Sequence, residues 1–390
     1  MQALRVVNVV GSCADFIKMV PLLAEMKRHP EINPVLVHTG PHDDLGFLEA
    51  CRDLDMPEPD YFLNVGSGSH ARRTALIMQG LEGLLFDLNP DLVMVVGDVD
   101  STVAASMTAI KLGFPVAHIE AGLRSFDREM PEEINRILTD SVSDLLFTSE
   151  RSAAHNLHRE GVARAKITHV GTVLIDALLM KAPTIARSNV LERLALAPRT
   201  YSVITVHRSS NVDDASNLDR IFAAIEDLQK HLKFVFPVHR QTITRLQKST
   251  AGSRLAALPN LQMVEPLGYL DFMKLLREAL FTITDSGGIQ EEATALGVPC
   301  LTLRNSTERP ATVTQGTNRL VGTDTERIVS EGMKIINGSI VRGKIPHKWD
   351  GRTSKRIVGA VLKKQEEIKQ LYRSVRKRAI CSDLFNSSAA

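Results

Sequence analysis

The chain has 390 residues, 44% hydrophobic and 24% charged, with Lys+Arg 47 against Asp+Glu 45. Such a composition fills a core and excludes a mini-protein, a disordered chain and a broadly polyanion-binding one, and the length suits two domains of roughly 150 to 200 residues each. Four cysteines, Cys13, Cys51, Cys300 and Cys381, lie far apart and in no C-x-x-C pair, which fits neither a disulfide framework nor a zinc site and predicts a reducing, cytoplasmic home.

Residues Met1 to Val10 enter an apolar run without a basic n-region, and no run of about 18 apolar residues follows, so no export signal and no membrane partner are expected. Short runs rich in Val and Ile then alternate with stretches of helical period, the pattern of βαβ units around a parallel sheet buried on both faces. In the first half the predicted strands are Leu4 to Val10, Val35 to His38, Leu92 to Val96, Val116 to Ile119, Leu145 to Phe147 and Ile167 to His169. Helices are predicted over Phe16 to Arg28, His70 to Leu88, Ser101 to Leu112 and Ser152 to Arg159. Asn89-Pro90 stops the second of these, and Gly113 follows the third. A polar, Pro-punctuated stretch over 181–200 reads as a linker between a domain 1–180 and a domain 201–353. The second series of strands is Tyr201 to Thr205, Phe234 to Phe236, Gln262 to Val264, Phe281 to Thr284, Cys300 to Leu303 and Arg319 to Val321. Residues 354–378 read as one long terminal helix with nine Lys and Arg and two Glu, docked by Ile357, Val361, Ile368, Leu371 and Val375. Only Tyr372 there could stack on a base, so no nucleic-acid partner is expected.

In open parallel sheets, ligands bind outside the carboxyl ends of the strands, so the polar residues after each apolar run are the candidates. Leu92 to Val96 runs into Gly97-Asp98, and Val116 to Ile119 into Glu120. In the segment that follows, Pro131 suits a first helical turn, with Glu132 and Glu133 at the positive end of the helix dipole. Gathered at one sheet edge, Asp98, Glu120 and Glu132 can supply both an acid and a base, because like charges crowd one pKa upward. In the second half, Thr284 leads through Asp285 into Ser286-Gly287-Gly288, a strand-to-helix turn whose N–H groups suit a diphosphate. Glu292 lies one turn on and can reach ribose hydroxyls, and the loop Arg304 to Pro310 adds Arg309, next to Glu308, as a partner for phosphate or one half of a surface ion pair. His207-Arg208 and His239-Arg240 each end a strand and are candidates to line a cleft. No His/Cys/carboxylate cluster and no H-E-x-x-H occurs, so no metal is expected. The first turn, Gly11 to Lys18, is not G-x-G-x-x-G, which disfavours NAD. Gly66 to His70 lacks the Walker ending and reads as a helix-capping loop, and Cys13 as an inert small residue.

Taken together, VVGDVDST (95–102), HIEAGLRSFDREMPEEINR (118–136), HRSSNVDD (207–214), TDSGGIQEEATALGVPC (284–300) and TERPATVTQGTNRLVGTD (307–324) resemble the bacterial UDP-N-acetylglucosamine 2-epimerases of the non-hydrolysing type, over nearly the whole chain. The resemblance implies a GT-B-like α/β fold: two Rossmann-like, doubly wound domains facing a cleft, with the C-terminal helix crossing back to the first domain. It also implies a homodimer, a UDP-sugar substrate, no cofactor, and reversible interconversion of UDP-GlcNAc and UDP-ManNAc by anti elimination of UDP to a 2-acetamidoglucal and syn re-addition with inversion at C2. Asp98, Glu120, Glu132 and His207 match the family's catalytic residues; Lys18, Arg208, His239, Ser286, Gly287, Gly288, Glu292 and Arg309 match its substrate-binding ones. For Lys18 the resemblance is the sole ground. Two departures stand out. Where the family commonly has an arginine in the first turn, this chain has Cys13, and the Gln that the family associates with activation by a second UDP-GlcNAc is Pro41. The Cys13 change keeps open a hydrolysing epimerase or nucleotide-sugar hydrolase releasing UDP and free sugar; a GT-B glycosyltransferase acting on another NDP-sugar is a separate alternative.

Overall fold

The computed structural model describes residues 3–42, 45–55, 58–238, 240–247, 255, 257–339 and 343–372. The chain forms two compact units, Met1–Ala177 with His347–Ala390, and Leu178–Pro346.

In the first unit, strands β1 (Leu4–Val10), β2 (Ile32–His38), β3 (Tyr61–Phe62), β4 (Leu92–Val96), β5 (Val116–Ile119), β6 (Leu145–Thr148) and β7 (Ile167–His169) form a parallel sheet ordered β3-β2-β1-β4-β5-β6-β7. The unbroken Val/Ile runs are what a sheet covered on both faces requires, and every residue of β4 and β5 is buried. On one face Val7, Val9, Val93 and Val95 pack with Ile77, Leu81 and Leu85 of helix His70–Leu88 and with Ala104, Ala105 and Ala109 of helix Asp100–Lys111. Ser69 caps the first of these helices, accepting from the Arg72 N–H, and Asn89 closes it in the left-handed region at φ 40°. The expected helix Phe16 to Arg28 in fact starts at Cys13 and ends at Met26, because the Ser12 hydroxyl accepts from the Asp15 N–H and opens it earlier. Strand β3, too short to show an alternation, has no counterpart in the sequence reading.

The terminal segment belongs to this first unit, as the crossover expectation requires. It forms two helices, Thr353–Lys363 and Gln365–Gln370, broken at Lys364, in place of one helix over 354–378; residues 373–378 lie outside the described residues. Asp176 caps the first of them, accepting from the N–H groups of Thr353 (3.1 Å) and Ser354 (2.7 Å). Ile357, Val361 and Ile368 are buried, as their spacing predicts. Just upstream, the indole N–H of Trp349 donates to the Ser149 carbonyl at 3.1 Å.

In the second unit, β8 (Tyr201–Thr205), β9 (Lys233–Pro237), β10 (Leu261–Val264), β11 (Phe281–Thr284), β12 (Cys300–Thr302) and β13 (Asn318–Leu320) form a parallel sheet ordered β10-β9-β8-β11-β12-β13. Its core gathers Phe222, Phe234, Phe236, Phe281 and Ile283. The stretch 181–200 carries the end of helix Val173–Arg187 and the short helix Val190–Arg193, whose Val190 and Leu191 pack with Tyr201 and Val203 of β8.

Both units are Rossmann-like. Each sheet reverses its winding once, between β1 and β4 in the first and between β8 and β11 in the second, and the crevice outside such a reversal is where doubly wound sheets take their ligands. No helix among the described residues is long and apolar enough to cross a membrane.

Candidate active site

In the first unit, the turns after β1, β4 and β5 converge on the winding reversal. Gly97 leaves β4 at φ 74°, a conformation that favours glycine, and a Cβ there would lie 2.8 Å from Asp15 Oδ1 and 3.3 Å from Lys18 Nζ. The turn from β4 and the helix after β1 are therefore in contact. Glu120 leaves β5 with φ 69°, a strained conformation for a side chain of that size, and is buried. Its Oε2 receives Lys18 Nζ at 2.8 Å, and the same ammonium lies 4.0 Å from Asp15 Oδ1. Burial pushes the Asp15 carboxyl up from 3.8 to about 6, against the lowering effects of Lys18 and the Ser12 hydroxyl, with Asp98 and Glu120 adding to the rise. Such a carboxyl exchanges its proton near neutrality.

Asp98 is partly exposed, and its Oδ2 accepts from Arg136 Nη1. The adjacent pair in helix Pro131–Val142 splits into two roles. Glu133 is buried and accepts from the Ser125 N–H (2.9 Å), the Phe126 N–H (3.0 Å) and Arg136 (2.6 Å). Burial raises its pKa, but these donors outweigh that and hold the carboxyl below the usual range. Glu132 is half-buried and makes no hydrogen bond or ion pair among the described residues. It is the free carboxylate of the pair. Beneath the turn, His118 is wholly buried, with Nε2 2.8 Å from the Gly97 carbonyl and Nδ1 2.7 Å from Asp140. Asp140 in turn meets Arg124, which forms a two-pronged pair with Glu160.

In the second unit, Asp285 at the end of β11 is wholly buried and ties down the loop after β8. Its carboxylate accepts from the N–H groups of His207 (3.1 Å) and Arg208 (3.0 Å) and from Asn211 Nδ2 (3.0 Å), and lies 3.3 Å from His207 Nδ1. Arg208 Nε donates to the Asp285 carbonyl at 3.0 Å. Ser286 then opens helix Gly287–Leu296, whose first N–H groups have no partner within the helix and favour an anion. A Cβ at Gly287 would sit 2.5 Å from Arg309 Nη1 and 2.6 Å from Glu308 Oε1, so only glycine lets the guanidinium lie against this turn. Glu308 and Arg309, pictured from sequence as a possible surface pair, are both buried and 2.6 Å apart. Glu308 also holds Arg304 (2.7 Å) and approaches Arg208 (3.7 Å), so three guanidiniums surround one carboxylate. Burial, with Arg208 and Arg309 nearby, lowers the Arg304 pKa despite Glu308. Glu292 is buried beside the Tyr269 hydroxyl, whose pKa is driven well above its ordinary value by burial and by that carboxylate.

The structure thus brings together Lys18, Asp98, Glu120 and Glu132's helix in the first unit, and His207, Arg208, Ser286, Gly287, Gly288, Glu292 and Arg309 in the second; His239 lies outside the described residues. Sequence reasoning missed Asp15, Arg136, Arg304 and Tyr269. Of these only Asp15 carried a local signal, an acid in the turn after β1.

The family profile described as UDP-N-acetylglucosamine 2-epimerase matches residues 24–362. A Methanococcus maripaludis protein described as a UDP-N-acetylglucosamine 2-epimerase homolog is 42% identical over 329 residues, 84% of this chain and 91% of that protein. A Pseudomonas aeruginosa protein described as UDP-2,3-diacetamido-2,3-dideoxy-D-glucuronate 2-epimerase is 36% identical over 342 residues, 86% of this chain and 94% of that one. Among solved structures, Methanocaldococcus jannaschii UDP-GlcNAc 2-epimerase in complex with UDP-GlcNAc and UDP matches with a TM-score of 0.87 and 36% identity, covering 92% of this chain and 100% of that one. These likenesses bear out the expected α/β class, GT-B-like with two Rossmann-like units.

Proposed function

This chain belongs to the UDP-N-acetylglucosamine 2-epimerase family, and from that premise we propose that it is an isomerase interconverting UDP-GlcNAc and UDP-ManNAc at C2. The reaction eliminates UDP anti to give a 2-acetamidoglucal, then adds it back syn with inversion. A proton leaves C2 on one face and another returns on the opposite face, so at least two protonic groups must serve. Asp98, Glu120 and Glu132 are assigned that work, with His207 beside the departing diphosphate. The observation that carries this reading is the buried Lys18–Glu120 pair, 2.8 Å across, at the sheet edge where Asp98 also emerges. One ammonium there faces more than one carboxyl, the condition under which acid and base roles separate.

Leaving-group charge is assigned to the second unit. The N–H groups of Gly287 and Gly288, the Ser286 hydroxyl, Arg208 and Arg309 hold the diphosphate, Glu292 the ribose, and His239 and Lys18 complete the binding set. We further assign the enzyme to the cytoplasm as a homodimer, as the family resemblance implies. Sedimentation at micromolar concentration tests that assembly, and a monomer would refute it.

Proton NMR of UDP-GlcNAc incubated with the enzyme in D2O tests the reaction. Persistent UDP-ManNAc with deuterium at C2 is expected. UDP with free sugar, or no turnover, would overturn the proposal.

A further inference from the structure

Helix Pro131–Val142 touches the turn after β4 at two successive residues. Asn135 Nδ2 donates to the Asp98 main-chain carbonyl at 3.0 Å, and Arg136 Nη1 donates to Asp98 Oδ2. Arg136 is 1% exposed and reaches Asp98 with one edge of its guanidinium while Nε (3.1 Å) and Nη2 (2.6 Å) grip Glu133 Oε2. Glu133 is fixed in turn by the N–H groups of Ser125 and Phe126 and by the Ser125 hydroxyl at 3.1 Å. A planar fork of five donors holds two carboxylates in a fixed mutual geometry, whereas an ammonium on a flexible stem attracts them without fixing their orientation. The clamp occupies Oδ2 of Asp98 and leaves Oδ1 with no hydrogen bond among the described residues.

We infer that Arg136, braced by Glu133, is a positioning residue for the epimerisation: it fixes the Asp98 carboxylate so that Oδ1 meets the substrate. The inference rests on the reading of Asp98 given above. It assigns work to two residues that touch no substrate, and it separates Glu133, a brace, from its neighbour Glu132.

A double-mutant cycle tests it, with Arg136→Lys, Asp98→Asn and the pair. Misplacing a reacting group by about 1 Å costs on the order of 100-fold, so Arg136→Lys should lower kcat by about 30- to 100-fold with KM for UDP-GlcNAc changed less than about threefold. In the Asp98→Asn background the same substitution should change nothing, because the group it positions is gone. Equal losses in both backgrounds would show a general structural role and overturn the inference. Should Arg136→Lys fail to fold, Glu133→Gln loosens the brace while keeping the guanidinium, and must show the same dependence on Asp98. The nitrogen-proton NMR signal of Arg136 Nε gives a readout apart from turnover. Slow exchange with solvent that Glu133→Gln accelerates supports the clamp, even if the wild-type chain makes no UDP-ManNAc and the reaction reading fails. Fast exchange in the wild-type protein overturns the clamp. Full turnover in Asp98→Asn removes both readings.

Discussion

Asp15→Asn is expected to make the first unit more stable at pH 8 and to leave it unchanged near pH 4. The Asp15 carboxyl lies 97% out of solvent, with its pKa raised from 3.8 to about 6 chiefly by burial. A raised acid favours the folded state while it stays protonated, so that contribution is complete below about pH 4 and is lost as the pH climbs through 6. The shift is about 2 units, and at about 1.4 kcal/mol per unit the ionised group costs the folded state about 3 kcal/mol above pH 7. Asparagine has the same shape, keeps an oxygen to accept the Ser12 hydroxyl, which donates to Oδ2 at 2.8 Å in the native protein, and carries no charge to desolvate. Lys18 keeps Glu120 as its partner. The chain has a single tryptophan, Trp349, buried in the first unit, so its fluorescence during urea unfolding reports that unit alone. The variant should gain up to about 3 kcal/mol at pH 8, with the gain fading across pH 6 to 4. A loss of stability at pH 8, or a gain independent of pH, would refute the argument that burial controls this carboxyl.

Asp98→Asn, Glu120→Gln and Glu132→Gln should each lower turnover by at least about 100-fold with the Trp349 unfolding curve retained, and full rates in any two would remove the carboxylate proposal. Gly287→Ala forces a Cβ to within 2.5 Å of Arg309 Nη1, so UDP binding measured by calorimetry should weaken at least about tenfold, about 1.4 kcal/mol. Cys13→Arg places a guanidinium at the start of the helix after β1. UDP affinity should then rise about tenfold, and an unchanged affinity would show that this position does not limit phosphate binding.

Much of the architecture was legible. Uninterrupted Val/Ile runs such as Leu92 to Val96 admit hardly anything but a doubly covered strand, and Ser69 with Asn89 marked both ends of a helix. Strand order was not legible, because which runs pair is settled by packing between segments far apart in sequence. The winding reversal of each sheet emerged only once the strands were paired. The acidic pair shows the limit most plainly. Glu132 and Glu133 are indistinguishable as letters, yet one step along a helix turns a side chain by about 100°, which sends the second inward to Arg136 and leaves the first free. Tyr269 sits far in sequence from Glu292, which it meets, whereas Arg304 is four residues from Glu308 and only its burial against that carboxylate, absent from the local pattern, marks it. Lys18 was marked by the resemblance alone, and only the structure shows the strained, buried Glu120 that places a carboxylate against it.

The first unit closes with residues from the far end of the chain, Trp349 and the Asp176-capped helix beginning at Thr353 among them. A ribosome therefore delivers the second unit whole, as an uninterrupted stretch, while the earlier-made sheet still waits for its last pieces. Until those residues emerge, Asp176 has no helix to cap, the Ser149 carbonyl lacks its indole donor, and a face of helix Cys13–Met26 stays uncovered. A premature stop near residue 346 would thus damage the half of the protein made first.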